Sequence, residues 1–552
     1  MVEVLQHEHF YVGGTWIDES IGLYLGWVAR KGSFAEFMPV RNERADLTLF
    51  FSGEEFSNSS PWKGLRGGAS YLAELAESDP CFPASLNGRF HGLLVDQARE
   101  AAILFNDRYG MHRLYYHQAK EGFYFGAEAK AILAVRPELR ELDVQALGEY
   151  ITCGCTLENR TLFNGITILP GASKWVLKNG IAKQKGSYFQ LQEWEGQQPL
   201  ESEKYYDQLR SVFAGILPRY FKPTEQIGMS LTGGLDTRMI LAWQRPTPGS
   251  LPCYTFGGIY RDCKDVIVGR QVAQACQQPH QVLELGKVFL SRFDHYAERT
   301  VYLTDGCCDV RRASDLYLNE RSREVAPIRM TGNYGSEVLR GVRAFKPMRQ
   351  IPGLFEEELY PLFSQAEETY RSIVSAHPVS FAVFKQAPWH HYGLLALEET
   401  QVSLRAPFLD NELIRAVFQA PWSTFNGYDL CLRLIGDGSP ALRRIPTDRG
   451  VGHDGLVGSV VQKWEDCMAK AEYVYDYGMP QWLARMDHVL RPFQLERLFL
   501  GRQKYNHYRV WYRGILKNYV AGVLLDRKSL SRSYIKKQKV ESIVHRHCNG
   551  DG

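Results

Sequence analysis

Long apolar runs are missing from this 552-residue chain. None reaches the roughly 18 residues that a membrane-crossing helix needs. The start, MVEVLQHEHFYV, has acids and histidines where a secretory leader needs Lys or Arg followed by Leu, so a cytoplasmic protein without a membrane partner is expected. Charge of one sign is lacking as well. Lys and Arg number 65 against 62 Asp and Glu, a formal net charge of +3, which leaves no electrostatic footprint for nucleic acid. The eleven cysteines are odd in number and scattered, which argues against a disulfide framework and for reduced thiols. Cys153 and Cys155, and Cys307 and Cys308, are close pairs without a second pair at zinc-ligand spacing, and the group His545, His547, Cys548 lacks a fourth ligand nearby. What is there is 45% hydrophobic and 23% charged, the profile of a large globular protein of more than one domain.

The chemistry concentrates in Gln226 to Ala242, QIGMSLTGGLDTRMILA. An apolar strand pattern (Ile227, Met229, Leu231) runs into Thr232-Gly233-Gly234-Leu235-Asp236-Thr237 and then into a helix-period run (Met239, Ile240, Leu241, Trp243). A strand, a glycine turn and a helix start make an anion site. Backbone N–H groups can approach an oxyanion there, the helix N-terminus adds partial positive charge, and the two threonines add hydroxyl donors. Asp236 breaks the donor pattern. A carboxylate beside a polyphosphate calls for a cation between them, so Mg2+ is implied. No lysine follows the glycines, so this is not the loop that ends in Gly-Lys-Ser/Thr, and a glycine turn without a ligand stays open as the plain reading.

Upstream, short strands and turns alternate: Gly22 to Val28, Leu47 to Phe51, and within Leu86 to Tyr116 two adjacent strands joined by the polar turn Asp96 to Glu100. Gly122 to Leu133 reads as a strand entering a short helix, and the Gln/Glu-rich stretch Gly186 to Leu200 as a linker. Downstream, Glu201 to Tyr220 has helical spacing. Cys253 to Gly258, Asp265 to Gln278 and Gln281 to Leu285 then read strand, helix, strand, which implies a parallel sheet with ligands at the carboxyl ends of its strands. The aromatic and basic stretches near the end (Trp464, Tyr473, Trp482, Tyr508 to Tyr512) fit packed amphipathic helices better than base stacking.

The loop resembles the SGGxDS loop of the ATP pyrophosphatases, with Thr at both ends. LNGRFHGLLVD, NDRYGMHRLYY and FYFGAEAKAILA resemble the glutaminase domain of glutamine-dependent asparagine synthetases; TGNYGSEVLRG (Thr331 to Gly341), LRAPFLD (Leu404 to Asp410) and SPALRRIPTDRGVG (Ser439 to Gly452) resemble their synthetase half. The resemblance implies an α/β protein. An N-terminal αββα sandwich of the N-terminal-nucleophile type (residues 1–190) would precede a parallel-sheet ATP-pyrophosphatase synthetase domain with C-terminal helices (residues 200–552). It also implies ATP and Mg2+ as cofactors. Thr232, Gly233, Gly234, Leu235, Asp236, Thr237, Phe256, Gly257, Gly332 and Asn333 would hold the nucleotide and Asp236 and Glu337 the metal; Arg449, Glu337 and Arg238 are the catalytic candidates, with Arg449 first and Arg238 second as the cation facing the leaving pyrophosphate.

The departures matter. Met1-Val2-Glu3 stands where the family has its N-terminal cysteine nucleophile, the first cysteine is Cys81, and Ser52-Gly53-Glu54 replaces Asn-Gly-Glu. Asn333 and Ser336 replace acids of the family's second motif, and no lysine follows Arg443-Arg444. The expected activity is an ATP-dependent ligase that adenylates a small-molecule or peptide carboxylate and passes it to ammonia or an amine, without a glutaminase of its own. A homodimer is compatible with this, and relatives such as β-lactam synthetases and lasso-peptide cyclases fit the same pattern. Asp410 also reads as a helix N-cap. Losses in both halves keep a catalytically silent ATP-binding or scaffolding homologue as the alternative.

Overall fold

The computed structural model describes residues 1–57, 68–222, 225–258, 261–348, 350, 353–374, 377–453, 455–477, 480–493, 500–507 and 513–525. Alternating apolar residues build the first half from β-structure. Strands β1 (Tyr11–Asp18) and β2 (Leu23–Arg30) form an antiparallel hairpin. Strands β3 (Val40–Arg41), β4 (Leu47–Glu55), β5 (Gly88–Asp96) and β6 (Ala101–Asn106) precede β7 (Tyr115–Gln118), β8 (Phe123–Gly126), β9 (Thr167–Ile168), β10 (Ser173–Lys178) and β11 (Ile181–Ser187). They form a six-stranded antiparallel sheet, β11-β10-β6-β5-β4-β3, and a three-stranded one, β8-β7-β9. The turn at residues 96–100 joins β5 to β6 as its polar residues imply.

Phe50 of β4 meets Trp16 of β1 at 5.5 Å between rings, and Trp175 of β10 meets Tyr116 of β7 at 5.0 Å. The large sheet therefore lies against the hairpin and the small sheet, with Leu93 and Leu104 buried on the same face as Phe50, while Leu49, Phe90 and Phe105 are buried on the opposite face. Helix Leu72–Ser78 packs on β3 and β4, and helix Ala129–Val135 on β7 and β8. This gives the expected helix–sheet–sheet–helix layering.

The second half is wound around a parallel sheet. Strands β12 (Ile227–Ser230), β13 (Cys253–Gly257), β14 (His280–Glu284), β15 (Ile328–Met330) and β16 (Ser403–Arg405) lie in the order β14-β13-β12-β15-β16. Every residue of β12 is buried, as both faces of a covered parallel sheet require. The chain enters at β12, winds outward through β13 and β14, and returns on the other side through β15 and β16. That reversal leaves a crevice at the carboxyl ends of β12 and β15, the place where open α/β sheets take ligands.

The supposed linker is not a loose spacer: β11 runs to Ser187, and a short helix, Gln192–Glu195, buries Trp194 in the core of the second half against Phe189 (4.7 Å) and Phe418 (5.8 Å). The C-terminal helices include Gly455–Tyr477 and Gln481–Leu490, but Trp464, Tyr473 and Trp482 stand more than half exposed rather than packed. Tyr508 to Tyr512 and His545, His547 and Cys548 lie outside the described residues. No described helix is long and apolar enough to cross a membrane, and the ten described cysteines are free.

Candidate active site

The loop after β12 opens the crevice. Leu235 and Met239 are buried and pin the loop and the first turn of helix Asp236–Gln244 to the core, while Thr232 is exposed and its Oγ1 accepts from Gly234 N (3.4 Å). Thr237 Oγ1 is buried without a hydrogen-bond partner among the described residues. Asp236 is the crevice's carboxylate. Its Oδ2 accepts from Ser336 Oγ at 2.7 Å, and its Oδ1 is buried with no partner among the described residues. Burial raises its pKa, against the pull of Ser336 and the Arg340 guanidinium. An ionised oxygen left unsatisfied in a water-poor site is costly unless a cation meets it.

Ser336 reaches Asp236 because the turn after β15 is pressed onto the loop. A Cβ on Gly335 would stand 2.7 Å from Asp236 Cγ, and one on Gly332 would stand 2.6 Å from Thr237 N. Only glycine lets the two segments approach this closely. Between them, Tyr334 adopts a left-handed conformation (φ 71°) with its ring buried, and Asn333 Oδ1 accepts from Thr331 Oγ1 at 2.9 Å. Arg340 donates to Ser336 Oγ at 2.5 Å, completing a relay from guanidinium through hydroxyl to carboxylate. Glu337 follows in the same helix. Burial and the Asp236 charge push its carboxyl up to about 7.

The donor set suits Mg2+: oxygens only, two carboxylates whose charges repel one another, and one orphaned buried oxygen. Among the described residues no cluster of three His, Cys, Asp or Glu could hold a metal, so water and phosphate oxygens would complete the coordination.

The cationic candidates separate. Arg238 is not available to a pyrophosphate: it is buried, and its guanidinium donates to the carbonyls of Ile445, Gly233 (3.2 Å) and Pro446 (3.5 Å). It binds the arginine-rich turn to the loop instead, and burial lowers its pKa to about 10. Arg449 is delivered to the loop's edge by that turn. Half exposed, it faces Asp466 (3.2 Å) and Asp448 (3.5 Å) and lines a cavity of about 300 Å³ with Lys470 and Lys504. Gly257 ends β13, while the Phe256 ring packs under the Arg329 guanidinium (5.0 Å) and so offers the crevice only its backbone.

A model of the glutamine amidotransferase domain matches residues 72–189. Asparagine synthetase [glutamine-hydrolyzing] 1 of Bacillus subtilis (strain 168) is 22% identical over 250 residues, covering 45% of this chain and 37% of that protein. The same organism's asparagine synthetase [glutamine-hydrolyzing] 3 is 25% identical over 238 residues, or 39% and 37%. The chain is asparagine-synthetase-like. The matched stretch spans little more than a third of the length of these curated relatives. An NH3-dependent NAD synthetase from Campylobacter jejuni, solved with nitrate, overlaps 32% of this chain and 80% of its own at 13% identity, with a TM-score of 0.18, too low to define a shared fold.

Two residues of the site carry no mark in the sequence. Asp265, in the first turn of helix Lys264–Ala275, accepts from Gly233 N at 2.6 Å, so a carboxylate sits on the loop amide that was expected to hold a phosphate. Burial and the neighbouring Asp448 push its pKa up to about 6. Asp448 N in turn donates to Gly233 O at 3.2 Å. An acid in the first turn of a helix is an ordinary dipole partner, and nothing in the local sequence separates it from one.

Proposed function

We propose that the chain is an ATP-dependent carbon–nitrogen ligase that adenylates a small-molecule or peptide carboxylate, releases pyrophosphate, and couples the acyl group to ammonia or an amine, which displaces AMP. The orphaned, buried oxygen of Asp236 at the sheet's switch point carries this reading, because a cation bound to phosphate is the partner it lacks. The relatives' names agree with the reading. Residues 200–552 would hold this chemistry and residues 1–190 a glutaminase-like domain without glutaminase activity.

In this proposal the carboxylate attacks the α-phosphorus, and pyrophosphate leaves toward the loop Thr232 to Thr237. The N–H groups of the loop and the N-terminus of helix Asp236–Gln244 orient the phosphates, with the Thr237 hydroxyl as one unspent donor. Asp236, with Glu337 beside it, would hold Mg2+, which neutralises phosphate charge when bound. Arg449 meets the charge that develops on the leaving group by giving up its ion pairs to Asp448 and Asp466. Arginine cannot serve as a proton donor there, so its contribution is electrostatic. The protein would work in the cytoplasm, as a monomer or homodimer, without nucleic acid or membrane.

The second reading, a silent scaffold, is favoured by one observation: Asp265 occupies the amide of Gly233. ATP–pyrophosphate exchange across a panel of carboxylates, aspartate included, separates the two. The ligase reading expects exchange with at least one carboxylate, and Arg449→Ala should lower turnover more than tenfold while changing ATP affinity little, since the contact strengthens as charge develops. ATP binding without exchange on any carboxylate would favour the scaffold.

A further inference from the structure

A cavity of about 770 Å³ lies in the first half, walled by β2, β4, β5 and β8 and closed by residues 399–404 of the second half. Its volume falls in the range of small-molecule sites. The charged side chains lining it are all engaged. Arg89 pairs with Glu399, and Glu54 with Arg405 (2.7 Å). Arg30 pairs with Glu225 (2.7 Å), and Arg113 donates to Pro388 O (2.6 Å) over the face of Tyr392. At the other end Asp305 meets Lys130 (3.1 Å), Glu128 meets His7 (2.8 Å), and Glu121 meets Arg136. A zwitterionic amino acid needs one free cation and one free anion. Among the side chains it would have to break ion pairs or draw the buried Arg113 off the Pro388 carbonyl, a strongly unfavourable exchange.

The polar side chains that remain are neutral. Ser52 Oγ and His112 Nε2 lie 2.8 Å apart on the wall, and His91 stacks on His112 at 4.5 Å. Burial pushes both imidazoles well below their ordinary range, His91 to about 4, so both are uncharged at neutral pH. Glu399 stands 4.0 Å from His112 Nδ1, beyond hydrogen-bond reach and committed to Arg89. Around this pair the lining is apolar, with Leu25, Leu93, Leu104, Leu114 and Phe125.

We propose that this cavity binds an uncharged, largely apolar small molecule that presents one hydroxyl or carbonyl oxygen to the Ser52–His112 pair, and that it does not bind glutamine. The test uses the full chain and a neutral fluorescent probe, N-phenyl-1-naphthylamine, with 1-decanol, decanoate and glutamine as competitors. Saturable binding of one probe per chain is expected, with displacement by decanol and none by decanoate or glutamine at a hundredfold higher concentration. Ser52→Ala should weaken decanol about five- to tenfold, the worth of one neutral hydrogen bond, and leave the probe's affinity within twofold. Ala29→Phe, which fills the cavity from β2, should weaken the probe at least tenfold; if that variant does not fold, the Ser52→Ala comparison decides alone. Absence of saturable probe binding, displacement by glutamine, or unchanged decanol affinity in Ser52→Ala would each overturn the proposal.

Discussion

Asp265 shows how one side chain can set the resting state of a site. Its carboxylate takes the Gly233 amide, and its pKa stands near 6 instead of in the usual carboxylate range. Because the folded state binds this proton more tightly than the unfolded one, the stability it contributes is present below about pH 4 and is lost as pH rises through 6. Asp265→Asn keeps an acceptor on the amide without the charge. The variant should therefore be more stable than the parent at pH 8, by about 3 kcal/mol, and nearly equal to it at pH 4. Urea midpoints at the two pH values check this, and an unchanged difference between them would remove the linkage. With ATP held by the loop as proposed, the same variant should bind it more tightly, since the negative charge on the Gly233 amide is gone. Asp236→Asn is the opposite case. It should abolish pyrophosphate exchange and leave the urea midpoint unchanged or raised, because the replaced oxygen satisfies nothing in the fold. A variant that exchanges as well as the parent would deny Asp236 its metal.

At the scale of elements, the loop after β12 was legible because the hydrophobic period changes from two to 3.6 across a pair of glycines, and both periods are local. The same holds for the helix Asn411–Val417: the Asp410 carboxylate accepts from Glu412 N at 2.9 Å, as an N-cap should. The strand order was not legible, since parallel pairing joins segments far apart in the chain. Nor was the role of Arg238, two of whose three carbonyl partners lie on the turn after Arg444, nor the burial of Trp194 in a polar stretch. A segment with π-helical hydrogen bonding, Ala382–His390, also carried no readable period. The turn at Gly332 to Gly335 tests the geometry directly. Gly335→Ala forces a methyl to 2.7 Å from Asp236 Cγ, so the carboxylate must move. Exchange activity should fall at least tenfold while the circular dichroism spectrum is kept; activity near that of the parent would mean that the close approach is not needed.

Across the whole molecule the two halves share buried polar groups. Arg405, from the LRAPFLD motif, has no exposed surface. Its Nη1 donates to the carbonyls of Tyr220 and Lys222 at 2.8 Å each, and its Nη2 to Glu54 Oε1 at 2.7 Å. Asn87 Nδ2 donates to Asp410 Oδ2 at 2.7 Å, and Asn87 Oδ1 accepts from Asn411 N at 2.9 Å. A motif that the sequence assigned to the nucleotide half thus spends its arginine and aspartate on the seam. Arg405→Met should cost about 3–5 kcal/mol by stranding Glu54, and the parent should melt in a single calorimetric transition. Two resolved transitions, or a loss below 1 kcal/mol, would show that the halves fold independently of that contact.

Glu54 lies two residues from Ser52 on the same strand, so the wall of the cavity in the first half and the anchor of the seam are one stretch of chain. Exchange of the first half for that of a relative would transplant the anchor along with the pocket. Such a chimaera can keep its junction only if positions 54 and 405 come from the same parent, which makes this pair the one to match first when domains are recombined.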